Sequence, residues 1–306
     1  EEFEHRKAEM HLDTYLGVQQ LREQFETFAL TQPRKFAERN NVTNSTGTYL
    51  ANVKNDWQCF HSYDAEDCRY CVHAWRGAKD CMDCNTVGRG AEMNYNATNC
   101  GLDAANQICT AACWAATFME YSLYAPSSSH CFGCASMKRG TYCILNKQYD
   151  PETYKKIRGQ IVEELKSKDI YGEMFPPDIS VYGYNETSAQ EEYPLTKEQA
   201  LTQGFKWEDT ERGTYGKENG KDIFACAQCK KNYRIIPREL EFYTRLSIPL
   251  PRLCPDCRHL RRSAARGPNR LWKRNCAKCN AEFETNYAPD RPEILYCESC
   301  YNKEIA

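Results

Sequence analysis

The first forty residues place Leu12, Tyr15, Leu16, Leu21, Phe25 and Phe28 roughly on one stripe at helical spacing, and this pattern predicts a helix. Pro33 opens a second short helix after Thr31-Gln32. Its simplest role is that of a lid on whatever follows. From about Asn41 to Asn146 helical periodicity disappears. Small and polar residues dominate there, long aliphatics are few, and eleven cysteines are spread along the segment. Offsetting this stretch against itself by 22 residues pairs Cys59 with Cys81, Cys71 with Met93, Ala91 with Cys113, Cys100 with Ser122, Cys109 with Cys131 and Tyr121 with Cys143. Small or soft side chains mostly meet their own kind. A fixed period in the low twenties is the signature of a solenoid, in which equivalent residues stack from coil to coil. The segment is therefore expected to be a short right-handed parallel β-solenoid of four to five coils of ~22 residues, with the helical start as its cap.

After it, Asp150-Pro151-Glu152 reads as an N-cap followed by proline at the first helical position. Tyr154, Ile157, Ile161 and Leu165 then continue at helical spacing, predicting a helix over 151–167. Residues 168–195 carry Pro176, Pro177, Gly183 and Pro194 and read as a loop. Thr196-x-x-Gln199 is a capping box that starts a short helix ended by Gly204. Glu208 to Asp222 is charged and glycine-containing, a linker composition. The expected division is thus a helical cap over 1–40, a cysteine-rich solenoid over 41–147, a helix-and-loop connector over 148–220 and a zinc-binding module over 221–306.

That last module rests on four Cys-x-x-Cys pairs, Cys226/Cys229, Cys254/Cys257, Cys276/Cys279 and Cys297/Cys300. Two consecutive pairs supply the four thiolates of a tetrahedral structural Zn²⁺, so two closed sites are expected. Redox pairs would have to recur four times without a thioredoxin-like pattern of strands and helices. Disulfides are the other common fate of many cysteines, but small units of this size need a staple, and zinc supplies it. Cysteines in the solenoid segment have two readings: small hydrophobes in a packed stack, or a third zinc site at Cys68, Cys71, Cys81 and Cys84. Their spread along the period favours the stack.

Each zinc unit begins with a knuckle and ends with a Cys pair that opens a helix. Cys226-Ala-Gln-Cys229 leads to a strand-like Tyr233-Arg-Ile-Ile, and Cys254-Pro-Asp-Cys257 opens into Arg258-His-Leu-Arg-Arg. The second unit repeats this more briefly from Cys276 to the C-terminal helix. This is the treble-clef order. The stretches Ile-Pro-Arg-Glu-Leu-Glu-Phe-Tyr (236–243), Pro-Arg-Leu-Cys-Pro-Asp-Cys-Arg (251–258), Leu-Trp-Lys-Arg-Asn-Cys (271–276) and Tyr-Ala-Pro-Asp-Arg-Pro-Glu-Ile-Leu-Tyr-Cys (287–297) resemble a family of uncharacterised treble-clef zinc-ribbon proteins with cysteine-rich repeats. The block Tyr142-Cys-Ile-Leu-Asn-Lys-Gln-Tyr belongs to the same likeness, which spans most of the chain. The resemblance implies a fold but no activity. It also implies that this chain is the C-terminal portion of a longer protein with a further zinc unit ahead of residue 1.

Charge changes the functional picture. From Lys221 onward there are 17 Lys and Arg against 10 Asp and Glu, whereas the rest of the chain has 23 against 32, so the formal net charge of −2 hides a polar molecule. Between Cys257 and Cys276 lie Arg258, Arg261, Arg262, Arg266, Arg270, Lys273 and Arg274 with no acidic residue. Such a cluster suits phosphate, and Trp272, His259, Phe242 and Tyr243 offer stacking surfaces. The expected partner is nucleic acid, with RNA or a ribonucleoprotein favoured, and a protein partner on the solenoid is the alternative. Arginines near a Cys₄ site can also serve only to offset its charge.

Catalysis is the third reading. Asp64, Asp67, Asp80 and Asp83, with Arg69 and Arg76, fall on neighbouring coils, and paired carboxylates are the equipment for glycosidic hydrolysis. The chain carries no Gly-x-Ser-x-Gly, no His-Glu-x-x-His and no phosphate-binding glycine loop, and its six histidines are dispersed. It is therefore expected not to be an enzyme. Free thiolates fit a reducing compartment, no apolar stretch approaches a membrane span, and a cytoplasmic location is expected. The sequons at Asn41, Asn44, Asn96 and Asn185 are short enough to arise by chance.

Overall fold

The computed structural model describes residues 2–210 and 213–305. It is mainly β, and about nine coils of parallel β-solenoid dominate it. Two compact units are distinguished. One comprises residues 1–34, 182–268 and 290–306; the other comprises residues 35–181 and 269–289 and contains the solenoid.

The solenoid runs from Arg39–Thr43 to Thr141–Ile144 as a single ladder of consecutive strands in which every pairing is parallel; the short Lys147–Gln148 then closes it antiparallel. Its register corrects the expected period. Thr48 pairs with Phe60 and Phe60 with Val72, a step of twelve; Val72 pairs with Asn85, Asn85 with Thr98 and Glu92 with Ala105, a step of thirteen. Steps of twelve return from Ala105 to Thr117, Ser129 and Thr141. The coils are therefore about half as long, and about twice as many, as the 22-residue offset indicated.

A shorter period of three lies beneath this. Along most of the solenoid every third residue has positive φ, as at Tyr49, Asn52, Asn55, Gln58, His61, Asp64, Asp67 and Tyr70. The residue after each one is buried: Leu50, Val53, Asp56, Cys59, Ser62, Ala65, Cys68 and Cys71. Each left-handed residue turns the chain, and four turns of three residues close one coil. Non-glycine residues resist this conformation by about 1–2 kcal/mol each, and Asn and Asp resist it least. The corners are accordingly rich in them, from Asn41 and Asn44 to Asn99 and Asn106. Asn41 donates to Asn52 and Asn52 to Asp64 at 2.9 Å each, while Asn44 donates to Asn55 at 3.0 Å and Asn55 to Asp67 at 3.1 Å, so the corner side chains form ladders of their own.

In the longer coils the added residue falls at Gly77, Gly90 and Asp103, thirteen apart, all at positive φ. A Cβ on Gly90 would stand 2.2 Å from Asp103 Oδ1, which explains a glycine there. These insertions also explain why an offset of 22 looked periodic. Seven steps of three plus one inserted residue keep inside matched to inside, as for Cys59/Cys81 and Ala91/Cys113. Two insertions lose the phase, and interior Cys71 then meets outward Met93.

The interior is a column of small residues. Ala65, Ala78, Ala91, Ala104 and Ala116 stack one per coil, all buried. Ten cysteines of the segment are buried in the same column, and the eleventh, Cys109, is a corner residue buried outside it in the cluster of Tyr154 and Val162. Interior polar groups hold the coil above: Asp56 Oδ1 accepts from Cys68 N at 2.9 Å, Asn94 Oδ1 from Gln107 N at 3.1 Å, and Ser122 Oγ from Cys134 N at 3.1 Å. Outside, Lys54, Glu66, Lys79 and Glu92 alternate in charge along one register row, with Lys54 Nζ 2.8 Å from Glu66 Oε1.

The helix Pro151–Ser167 forms as predicted, with Asp150 accepting from Thr153 N. Its Tyr154 and Val162 pack with Cys109, Tyr121, Phe132 and Ile144 of the last coils. Buried Glu120 receives Arg158 Nε at 2.5 Å and Tyr171 OH at 2.9 Å, fixing the helix and the following loop to that side. The capping box at Thr196 and Gln199 also forms. At the N-terminus, helices span Glu2–Glu9 and Tyr15–Leu30, but the second short helix after Pro33 does not form. Residues 34–35 and 39–43 are extended, because Arg39–Thr43 pairs with Leu50–Lys54 as the first rung of the ladder.

Candidate metal centres

The two Cys₄ segments repeat one backbone design. In the first, strands Ile223–Ala225 and Asn232–Arg234 form an antiparallel hairpin around the knuckle. Cys226 N donates to Lys231 O at 2.9 Å and Lys230 N to Cys226 O at 3.0 Å, with Lys230 at φ 64°. In the second, strands Trp272–Asn275 and Glu282–Thr285 pair in the same way. Cys276 N donates to Ala281 O and Asn280 N to Cys276 O, both at 2.9 Å, with Asn280 at φ 61°. Each later pair opens a helix: Pro255–Arg266 is capped by Cys254, and Glu298–Ile305 follows Cys297. This is the treble-clef arrangement in both units.

The sulfurs of Cys226, Cys229, Cys254 and Cys257 lie within 4.8 Å of one another, and so do those of Cys276, Cys279, Cys297 and Cys300. Four thiolates around zinc at ~2.3 Å would stand ~3.8 Å apart at the corners of a tetrahedron. The Cys229 and Cys254 sulfurs are 3.7 Å apart. Backbone N–H groups are aimed at the sulfurs: Cys254 N donates to Cys226 Sγ at 3.3 Å and Cys257 N to Cys254 Sγ at 3.4 Å. Burial works to raise the Cys226 thiol, but the backbone N–H groups of Cys254, Cys229 and Gln228 outweigh it and bring Cys226 down to about 6. Four gathered sulfurs with backbone N–H groups aimed into the group fit Zn²⁺, for which all eight residues would be the ligands.

Cys68, Cys71, Cys81 and Cys84 have the same sequence spacing and the opposite surroundings. They are not among the groups of metal-ligating atoms brought together in the described residues. Each lies inside the solenoid and donates its S–H to the carbonyl two residues back: Cys68 to Glu66 O at 3.5 Å, Cys71 to Arg69 O at 3.2 Å, Cys81 to Lys79 O at 3.3 Å and Cys84 to Met82 O at 3.1 Å. Their Cys-x-x-Cys spacing is the three-residue period of the coil.

The basic run is divided between the two compact units, with Arg258 to Arg266 in one and Arg270 to Arg274 in the other. Most of it is engaged within the protein. Arg258 donates to Tyr243 OH at 3.0 Å and to Glu239 at 3.3 Å; His259 meets Glu191 and Arg266 meets Glu192, each at 2.6 Å. Arg270 stacks on Trp272, Lys273 pairs with Glu282 at 3.0 Å, and Arg274 donates to Ala288 O at 3.3 Å. Arg261 and Arg262 are exposed and carry no such contact among the described residues. The acidic partners Glu191, Glu192 and Glu239 come from segments outside the run, so a tally of charge within 258–274 could not anticipate them.

Of the four aspartates considered for catalysis, Asp67 and Asp80 line a recess of about 950 Å³ on the side of the solenoid, together with Asp56, Arg39, Arg69 and Trp57. Asp64 and Asp83 are corner residues outside its lining. Sequence reasoning passed over Asp56, which is 1% exposed and is raised to about 7, chiefly by burial and against the hydrogen bond from Cys68 N. Its position three residues before Cys59 on the inward phase is the signal that would have found it.

Among the described residues no helix is long and apolar enough to cross a membrane. Compared with protein-family models, with curated proteins and with solved structures, the chain shows no match in any of the three.

Proposed function

We propose that this chain is a zinc-stabilised binding protein in which two Cys₄ ribbons keep small folds in shape and the solenoid serves as a rigid scaffold for partners. The observation that carries it is the pair of sulfur quartets, each gathered within 4.8 Å on a duplicated backbone frame. The proposal assigns no reaction to the chain. Cobalt substitution tests it: two tetrathiolate sites should each contribute charge-transfer absorption, and Cys226→Ser or Cys276→Ser should remove half. Absence of such bands in the intact chain would overturn the proposal.

A second reading keeps RNA or a ribonucleoprotein as the partner of the basic helix, on the strength of exposed Arg261 and Arg262. Binding through them should weaken steeply with salt, and Arg261→Glu with Arg262→Glu should abolish it. Salt-independent binding that survives both changes would assign the partner to the solenoid instead.

A further inference from the structure

One outward column of the solenoid reads Trp75, Gly88, Gly101, with Trp114 one coil further on. Trp75 pairs with Gly88 and Gly88 with Gly101, and Ala115 N donates to Gly101 O at 2.9 Å. Two consecutive coils therefore carry no side chain between two half-buried indoles. Backbone packing accounts for the glycines, since a Cβ on Gly88 would stand 2.1 Å from Trp75 O and one on Gly101 2.7 Å from Gly88 O. Their consequence is a recess of about 240 Å³ lined by Trp75, Gly88, Arg89, Asn99, Gly101 and Trp114, among others. Trp75 leans over Gly88, its Cδ1 only 2.7 Å from where a Cβ would lie. At ~4.8 Å per coil, about two spacings remain open towards Trp114, room for one flat ring stacked on an indole.

The rims are polar and unbalanced in charge. Arg76 and Arg89 stack on the Trp75 ring at 4.9 and 5.8 Å, and neither forms an ion pair with a described residue. Exposed Asn99, also in the lining, has a side-chain amide with no partner among the described residues, ready to meet the edge of a ring. An indole-walled slot with the uncompensated guanidinium of Arg89 in its lining and that of Arg76 on the same Trp75 ring fits a planar heterocycle that carries an anion. The volume lies below that of ordinary drug-sized pockets and suits a single ring system.

We propose that this recess binds one nucleotide, with the base between Trp75 and Trp114 and the phosphate held by Arg76 and Arg89. The site shares no residue with the two sulfur quartets or with Arg261 and Arg262, so it stands or falls independently of the function proposed above.

Calorimetric titration of the full chain with AMP, UMP, adenosine, ribose 5-phosphate and a single-stranded nine-nucleotide RNA tests it. The nucleotides should bind, and loss of either the base or the phosphate should weaken binding roughly tenfold or more. Trp114→Ala and, separately, the surface change Arg89→Glu should each lower affinity roughly tenfold with the melting curve of Arg89→Glu unchanged. Binding of the nine-mer far tighter than AMP, still sensitive to both changes, identifies a strand as the ligand; equal affinity identifies a free nucleotide. The proposal is overturned if neither mononucleotide nor strand binds at millimolar concentration. It is also overturned if binding is indifferent to Arg89→Glu, or if a neutral oligosaccharide competes as well as AMP.

Discussion

Cys68-x-x-Cys71 and Cys226-x-x-Cys229 are the same motif on paper and opposite chemistry in the fold. In the solenoid, the thiols donate to carbonyl oxygens two residues back and pack as small hydrophobes among stacked alanines. At the knuckle, Cys226 sulfur accepts a backbone N–H and lies with three other sulfurs within 4.8 Å. Donating S–H holds a proton on sulfur, whereas accepting N–H favours its loss. The gathering of four sulfurs at one point, set by the backbone around each pair, decides between packing and metal. Spacing alone decides nothing, because three residues is both the stride of a zinc knuckle and the stride of this coil.

The comparison can be broken most forcefully from the metal side. Cys226→Ser should leave the first unit unable to close, since structural zinc supplies about 10–16 kcal/mol to small ribbons at neutral pH. Bound zinc should fall by one ion per chain, and amide exchange in residues 223–266 should lose its protection. The same readouts applied to Cys71→Ala should show no change in zinc and a destabilisation of only about 1 kcal/mol, the smallest effect expected here.

Between these extremes lie two tests of the stacked interior. Ala91→Leu forces a larger side chain into a column where Ala78 and Ala104 occupy the adjacent coils, and it should cost about 3 kcal/mol in denaturant unfolding. A loss near zero would mean that the interior is loosely filled. Asp56 supplies a pH-dependent counterpart. Its carboxyl, raised to about 7, prefers the protonated form in the folded state, whereas the unfolded group ionises near 3.8. Ionisation therefore favours unfolding: this residue's cost is absent below about pH 4, grows as pH rises, and levels off above about 7. Asp56→Asn keeps the acceptor for Cys68 N without the charge. It should stabilise the protein by roughly 2 kcal/mol or more at pH 8 and by much less at pH 4.5, as read by melts at the two pH values. Equal effects at both would contradict the buried, protonated carboxyl.

Much of this contrast is legible in the residues. The knuckle pairs, the helix-opening pairs and the cap at Asp150 are local signals, and each forms where its own few residues dictate. The solenoid is legible as a class because small residues recur, but its stride is hidden. Insertions at Gly77, Gly90 and Asp103 shift the phase, so that a false offset of 22 partly succeeds. Long-range partners are invisible to local reading. Glu191 and Glu192, about seventy residues before the basic helix, meet His259 and Arg266 and remove much of the charge that the run 258–274 suggests. The alternating Lys54, Glu66, Lys79 and Glu92 row is likewise seen only once the twelve- and thirteen-residue steps are known.

Zinc content measured together with amide exchange, before and after chelation, addresses the central claim most directly. The account predicts two ions per chain and, on their removal, loss of protection around Cys226–Cys257 and Cys276–Cys300 while the ladder from Leu50 to Ile144 keeps its slow amides. Three ions, or a solenoid that opens along with the ribbons, would contradict the assignment of the inner thiols to packing; no zinc at all would contradict the metal centres themselves.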